Sequence, residues 1–551
     1  MNDTVNSGID RPQSEAAQKL VNDKLRAFSA LESDRGNFES YWEDTARVVL
    51  PRYRDSFMSS PANQSKGDKR YFEMYDATAS IAAERFASVV ESLITPRNQR
   101  WHRLVATDTR LRNDRDTKLW FDEVTDILFQ WRYSPRANFA SNNYEVGLGV
   151  GVFGTSPMFI DEADDARGMR YRALVLGNTY LATNFEGVID TCYRRFALTG
   201  PQAIGQFGEE NLPAQLVQAA GVNQTREFTF LHCITPNREY DASRRDRKGM
   251  RYASAYIQMD FKHLISEGGY RTFPVPTARY VTAPGEVYAR GPAMLVLPAI
   301  KTLQEEKKTV LKQGQRVVDP VILTADDGVM ASFSLRPGAI NTGAMSKDGK
   351  RLADVLPTGN LAAGFEMMNL ERQTINDAFL VTLFQILVET PTMTATEVLE
   401  RAREKGILLA PTMGRLQAEY LGPMIERELD ILNQQGLLPD MPDALIEAGG
   451  QYEIVYDSPL SRAMRAEEAV GLVRSIEMAS MYAQASGDPS ALDWFDPDTF
   501  TPAIADINAV PTKWMRGQDA VDQIREGRAA AQEERNLVEA APSIAALAKA
   551  G

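Results

Sequence analysis

The segment Gly149–Gly154 reads GVGVFG, which has the G-x-G-x-x-G spacing of loops that bind dinucleotides. Such a loop follows a strand, and an acidic residue about 20 positions later binds the ribose. Here the preceding residues are NNYEVGL, and no Asp or Glu occurs from 166 to 185. We therefore interpret these glycines as small residues that permit close packing at a helix end.

Residues Asp161–Asp164 spell DEAD after an apolar run, which superficially resembles the metal-binding carboxylates of a nucleoside triphosphatase. That chemistry also needs a P-loop to hold the phosphates. The nearest segment, Gly343–Lys350, has one residue too many between its glycines, and Arg351 stands where Ser or Thr is required. We predict a solvated turn at 161–164.

A metal site could be sought at Cys192 together with His232 and Cys233. Adjacent ligands without a C-x-x-C pair are a poor zinc spacing, so a buried thiol beside a structural histidine is the better interpretation. The sequence also has no G-x-S-x-G or H-E-x-x-H motif. We therefore expect no catalytic residue, no metal site and no cofactor, and a protein that is not an enzyme.

A charged stretch lies between Pro298 and Pro320, and no residue from Ala299 to Val318 except Gly314 breaks a helix. This helix carries five cations and two carboxylates, Glu305 and Glu306, in a chain whose net charge is −13. Its cations are Lys301, Lys307, Lys308, Lys312 and Arg316. A charge run is usually a solvated helix face, and that interpretation stays open on composition alone.

Composition places the chain among soluble intracellular proteins. Its 551 residues exceed one hydrophobic core, so we expect two to four domains. Two cysteines exclude a disulfide framework, and the longest apolar run, 378–388, is too short to span a membrane. The negative net charge argues against tight wrapping of nucleic acid but allows loose contact with DNA.

The elements that would position these residues follow from periodicity and from turn residues. Helical patterns dominate the first 150 residues, at about 17–49, 77–93 and 113–133. Short strand-like runs separated by Gly, Pro and Asn follow between 157 and 300. A second long helix is predicted at 361–388, Thr390-Pro391-Thr392 interrupts it, and another begins at Thr394 or Thr396. The predicted class is α+β, mainly helical.

Several blocks, in order, resemble the head-to-tail connector, or portal, proteins of short-tailed tailed phages. The blocks cover nearly the whole chain, and their number and order carry the resemblance because none is a catalytic signature. They are WEDTARVVLP (42–51), YDATASIAAERFASVVESLITP (75–96), Trp101, YARGPAMLVLPAIKTLQEEKKTVLKQGQRVVDPVIL (288–323), TATEVLERAREKGILLAPTMGRLQAEYLGPMIERELDIL (394–432), SPLSRAMRAEE (458–468) and VPTKWMRGQDAVDQIREGRAAAQ (510–532).

The resemblance implies a portal fold assembled as a ring, with a wing, a two-helix stem, a small β-rich clip and a helical crown. The implied parts are a wing at 1–298, stem helix 1 at 299–318, the clip at 319–360, stem helix 2 at 361–388, a channel loop at 388–394, a long wing helix and return strand at 395–459, and the crown with the C-terminal helices at 460–551.

The resemblance also implies a function in the virion. Twelve subunits would form a DNA channel at one capsid vertex, through which the genome is packaged and ejected. Implied partners are the homo-oligomeric ring itself, double-stranded DNA bound without sequence preference, the major capsid protein, terminase and tail adaptor proteins, with no membrane. The protein would lie in the host cytoplasm during assembly. Twelve chains would carry 12 × −13 = −156 charges, so a mostly repulsive bore with few cations would let DNA slide.

The same mapping gives candidate site residues. We expect the five stem cations to be divided between the channel and contacts between subunits. The loop residues expected to touch DNA are Thr390, Pro391, Thr392 and Met393. The clip residues expected to dock partner proteins are Asp326, Asp327, Lys347, Asp348, Lys350 and Arg351.

Two other functions are possible from the sequence. A different phage structural protein, such as a tail-tube component, would be mostly β instead of having two long helices around a β-rich insert. A nucleotide-dependent DNA-handling enzyme rests only on the DEAD stretch and the imperfect P-loop, and an ATPase assay would test it.

Overall fold

The computed structural model describes most of the chain. The described residues are 14–58, 67, 70–112, 114–163, 167–318, 322–324, 345, 348–351, 353–355, 361–381, 412–457, 459–507, 510, 512–518, 520–532 and 535. Within them the fold is mixed helix and sheet, which agrees with the predicted α+β class.

Five helices build the N-terminal part. They are α1 (Glu15–Asp34), α2 (Gly36–Val49), α3 (Thr78–Ile94), α4 (Arg115–Arg132) and α5 (Phe139–Phe153). The prediction of a single helix at 17–49 is therefore wrong in one respect, because the structure has two helices that are separated at Arg35. The Arg35 side chain is buried and donates to the carbonyls of Leu176, at 3.0 Å, and of Gly177 and Thr179. These contacts come from distant residues, so the local pattern could not predict the break.

Two antiparallel sheets follow. The smaller has the strand order β3-β2-β9, and the larger has the order β4-β5-β6-β7-β8. The strands are β1 (His102–Ala106), β2 (Thr155–Glu162), β3 (Met169–Ala173), β4 (Thr179–Thr183), β5 (Ile189–Thr199), β6 (Glu227–Pro236), β7 (Tyr252–Gln258), β8 (His263–Tyr270) and β9 (Thr277–Arg279). Helices α6 (Gly200–Phe207) and α7 (Ala214–Val222) connect β5 to β6.

Helix α1 covers one face of the larger sheet. Its Val21 and Phe28 pack on a cross-strand row in which Tyr180, Tyr193 and Cys233 occupy neighbouring strands. The opposite face of that sheet meets the smaller sheet, because Phe159 of β2 contacts the ring of His232 edge-on at 5.8 Å.

Short α8 (Pro292–Leu295) leads into the central hairpin, which consists of α9 (Leu297–Val318) and α10 (Leu361–Ala378). Between α9 and α10, β10 (Ile322–Thr324) pairs antiparallel with β11 (Ala353–Val355). The helix expected to run continuously over 361–388 instead ends at Ala378. Leu380 has a φ of 58° and donates its N–H to the carbonyl of Asp377 at 3.0 Å, a left-handed turn that terminates a helix.

The chain then returns to the N-terminal part. Residues 412–416 are helical, Gln417–Leu421 form a π-helical turn, and α11 spans Gly422–Gln434. Short α12 (Asp443–Glu447) leads to β12 (Tyr452–Tyr456), which pairs antiparallel with β1. The C-terminal part has α13 (Pro459–Ser486), α14 (Pro497–Ile507) and a further helical segment at 520–532.

A fully buried ion pair joins the returning helix to the N-terminal part. The Nε of Arg132 lies 3.0 Å from the Oε1 of Glu428, and Nη1 lies 2.9 Å from the Nε2 of His102. Tyr171 donates to Glu428 at 2.5 Å. Breaking a buried pair by removing one partner is costly, so this cluster fixes how α4, α11, β1 and β3 are arranged.

Candidate functional site

The hairpin of α9 and α10 contains the stretch that the sequence marked out by its charge. The two helices pack against each other, and Gly364 faces Val310 so closely that an added Cβ would lie 2.8 Å from Val310 Cγ2. Leu297, Ile300 and Leu303 of α9 are buried, and all three lie in its first two turns. The first part of α9 is thus packed in the protein core, while its second half extends outward.

A group of hydrogen-bonded side chains, Gln304, Asp76 and Arg372, fixes the base of the hairpin; we call it the joint. The buried Gln304 side chain accepts from the N–H groups of Tyr75 and Asp76, at 2.7 and 2.9 Å, and donates to the Asp76 carbonyl at 2.8 Å. The Asp76 carboxylate in turn accepts from Arg372 of α10 at 2.6 Å and from the Thr78 N–H at 2.9 Å. Both hairpin helices are therefore tied to the start of α3 through one residue.

The Asp76 carboxylate is ionised in this joint. Its partial burial raises the pKa, but the hydrogen bonds from Thr78 and the ion pair with Arg372 outweigh burial, and the pKa lies below its ordinary value. Opposite charges in contact stabilise the ionised form in this way.

Two of the five predicted cations have partners within the chain. Lys301 lies 2.8 Å from the Asp44 carboxylate of α2, and Lys308 lies 3.1 Å from Glu305 and over the ring of Tyr75 at 5.7 Å. Of the carboxylates that the structure describes, none lies within ion-pair distance of the other three cations. These are Lys307, Lys312 and Arg316.

Helical spacing divides those three cations between faces. Lys312 and Arg316 are four residues apart and share one face, whereas Lys307 lies on a different side of α9. Both Lys312 and Arg316 are exposed in the outer half of the helix. The structure thus brings together only two of the five predicted cations as an unpaired positive stripe.

The hairpin also exposes apolar side chains. The exposed apolar residues are Leu311, Val317 and Val318 of α9 and Phe365, Met367 and Leu370 of α10. By helical spacing, Phe365 lies on roughly the opposite side of α10 from Met367 and Leu370. Exposed apolar area on two sides of a helix is typical of a helix that packs against two neighbours.

The other predicted site residues are largely outside the described part of the chain. This holds for Thr390, Pro391, Thr392 and Met393 of the loop and for Asp326, Asp327 and Lys347 of the clip. Asp348, Lys350 and Arg351 are described and exposed, at a turn beside β11 where Arg351 forms a bridge with Met345.

The glycine motif is a packing feature, as the sequence predicted. Residues 149–153 end α5, an added Cβ at Gly149 would lie 2.6 Å from Ser156 Oγ, and one at Gly151 would lie 2.8 Å from the Phe86 ring. Gly154 has a φ of 75°, and a Cβ added there would lie 2.4 Å from the Arg290–Gly291 backbone. This tight contact seats the segment that leads into the hairpin.

The DEAD stretch was predicted to be a turn; its last residue, Asp164, lies outside the described residues, and the described part differs from the prediction. Asp161 and Glu162 are not in a turn but end β2, where they pair with Arg170 and Met169 of β3. The Asp161 carboxylate accepts from Arg427 at 3.3 Å. Strand β2 continues through these acidic residues because a strand partner and an arginine are available to them.

Cys192, Cys233 and His232 are buried, as the sequence predicted. Cys192 pairs in register with Ile234, which places Cys192 and Cys233 on opposite faces of the sheet. Burial raises the pKa of each thiol to about 12, so both are protonated and unreactive at neutral pH. Across the described ranges no group of three or more metal-ligating side chains occurs.

No helix in the described part of the chain is both long and apolar enough to cross a membrane.

Sequence reasoning missed the joint of Gln304 and Asp76 entirely. The only available signal was a glutamine at a position of α9 that continues the spacing of Ile300 and Leu303 on the buried face.

Comparison with known proteins gives a consistent family. The Bacteriophage head to tail connecting protein family matches residues 22–515. The portal protein of Salmonella phage epsilon15 is 31% identical over 518 residues, covering 92% of this chain and 90% of that protein. The probable portal protein of Bordetella phage BPP-1 is 26% identical over 528 residues, covering 92% and 91%.

A solved structure, from the virion of a native gene transfer agent particle, covers 72% of this chain and 84% of its own at 12% identity. Its TM-score is 0.32.

Proposed function

Because this chain belongs to the bacteriophage head to tail connecting protein family and has portal function, we propose that about twelve copies form the ring through which the genome passes. The family is structural, and the chain is a component of the virion at the capsid. The protein would assemble in the host cytoplasm, and the major capsid protein, terminase and tail adaptor proteins would contact it there or in the virion.

The observation that supports assembly into a ring is the exposed apolar area on both sides of the hairpin. In a ring each subunit uses two different surfaces, one toward each neighbour, and Phe365 and Leu370 lie on roughly opposite sides of α10. Burying these side chains between neighbours would be favourable by roughly 1.5–3 kcal/mol for each one that becomes fully buried. The single chain leaves that surface in water.

Within this ring we assign α9 and α10 to the stem and 319–360 to the clip that meets terminase and the adaptor. The loop at 388–394 would reach the channel, residues 1–298 would form the wing, and the part from 460 the crown. Lys312 and Arg316 would supply the sparse cations of the channel, because Lys301 and Lys308 already have partners within the chain.

The test is the mass and shape of the purified chain. Twelve chains of 61.3 kDa have a mass of roughly 740 kDa, and light scattering together with negative-stain images should give that mass and a ring with a hole. A Leu370→Glu variant should form smaller species, whereas Gln373→Glu adds the same charge at an exposed polar position and should keep the ring. A wild-type chain that stays monomeric at micromolar concentration would contradict the proposal.

A further inference from the structure

Two arginines lie close together where the two sheets meet. Arg172 of β3 lies opposite Phe159 of β2 in the strand register, and the Arg194 guanidinium of β5 lies 5.4 Å from the centre of the Phe159 ring. Arg194 also lies 4.6 Å from the Phe196 ring. Two like charges thus flank one aromatic side chain where the sheets meet.

In the described part of the chain, neither guanidinium lies within ion-pair distance of a carboxylate. Asp161 is close enough to Arg194 to interact with its charge, but Arg427 already binds this carboxylate at 3.3 Å. Burial lowers the pKa of Arg194, and the charge of Arg172 lowers it further. A desolvated charge beside a like charge destabilises the fold unless something neutralises it.

The cross-strand row that contains Arg194 also includes a histidine whose hydrogen-bonding capacity is only partly used among the described residues. Arg194, His232 and Tyr256 lie directly across from one another on β5, β6 and β7. The His232 ring stacks on Tyr256 at 4.0 Å, and its Nε2 lies 2.9 Å from the Ser254 hydroxyl. Its buried Nδ1 has no hydrogen-bond partner among the described residues.

We propose that Arg172 and Arg194 form a binding site for an oxyanion, a phosphate or carboxylate group, where the two sheets meet. Guanidinium groups bind both kinds of oxyanion through charge-assisted hydrogen bonds, and a partly desolvated site strengthens them. The oxyanion is either free inorganic phosphate or a carboxylate that a second copy of the chain presents.

Thermal unfolding of the full-length protein tests this site. It is measured in sodium phosphate and in sodium chloride at equal ionic strength, for wild type, Arg172→Gln and Arg194→Gln. Arg226→Gln is the matched control, because Arg226 also lies over a ring, Phe228 at 5.0 Å, and no described carboxylate pairs with it. The mass of the assembly that each variant forms is measured in sodium chloride only.

If free phosphate fills the site, phosphate should raise the melting temperature of wild type and of Arg226→Gln by an amount on the order of 1–2 °C that grows with concentration. The increment should vanish in Arg172→Gln and Arg194→Gln, which should be no less stable than wild type in chloride. If a neighbouring carboxylate fills the site, the increment should be absent and these two variants should weaken the ring while Arg226→Gln does not. Equal phosphate response and equal ring stability in all four proteins would overturn the proposal.

Discussion

The side-chain amide of Gln304 binds both backbone groups of Asp76, accepting from its N–H at 2.9 Å and donating to its carbonyl at 2.8 Å. An apolar side chain in place of this buried amide would leave the N–H and the carbonyl of Asp76 without their hydrogen-bond partner. The joint therefore fixes the angle at which the hairpin leaves the body of the subunit.

Replacing Gln304 with leucine should destabilise the protein by about 2–5 kcal/mol, because buried groups of Tyr75 and Asp76 lose their hydrogen-bond partner. Denaturant unfolding of the purified chain measures the change. Gln315→Leu, at an exposed position of the same helix, is the control and should change the free energy of unfolding by less than about 0.5 kcal/mol. Equal effects of the two substitutions would show that the joint adds nothing to stability.

Gly154→Ala should be far more damaging than Gly187→Ala. Both glycines have a positive φ, 75° and 82°, so both substitutions cost about 1–2 kcal/mol of backbone strain. Only at Gly154 would the new Cβ also meet backbone atoms, at 2.4 Å, whereas at Gly187 nothing lies within 4 Å. Soluble yield and melting temperature of the two variants measure the difference. Similar melting temperatures would mean that the backbone around Arg290 yields easily.

Periodicity and prolines predict the hairpin helix well: the expected span was Ala299–Val318, and the structure has Leu297–Val318. The strand-like runs expected between 157 and 300 likewise correspond to real strands, among them β2 and β7. These elements depend on local spacing, which a sequence displays directly. The joint of Gln304 with Asp76 joins residues 228 positions apart, and no local signal reports such a contact.

The returning helix shows the same limit. The structure contains a π-helical turn at Gln417–Leu421, in which the Gln417 carbonyl accepts from the Gly422 N–H. The same carbonyl accepts from the Tyr456 hydroxyl at 3.0 Å. Tyr456 belongs to β12, and no local pattern identifies it as a partner of this turn.

Acidification below about pH 6.5 should destabilise the protein through its two buried histidines. Burial lowers the pKa of His102 and of His232 well below the ordinary value, and the positive charges of Arg132 and Arg194 lower them further. The unfolded chain therefore binds more protons below pH 6.5, and stability falls as pH falls, by up to about 1.4 kcal/mol per pH unit for each histidine.

Denaturant unfolding between pH 7.5 and 5.5 tests this for His232. His232→Gln should reduce the slope of stability against pH, because glutamine takes up no proton on unfolding. Ser254→Ala removes the partner of Nε2 but keeps the histidine buried, so it should retain the wild-type slope. An unchanged slope in His232→Gln would mean that His232 is already protonated in the folded protein.

Lys312→Gln combined with Arg316→Gln should weaken DNA binding by the assembled ring, if these two unpaired cations face the channel. Removing two phosphate contacts should make the slope of log affinity against log salt shallower by about two for each subunit that contacts the duplex. Lys301→Gln is the control, because Lys301 already pairs with Asp44 at 2.8 Å and should contribute little to binding. Affinity measured at several salt concentrations separates the two. Loss of affinity in Lys301→Gln with none in the double variant would contradict the assignment of Lys312 and Arg316 to the channel.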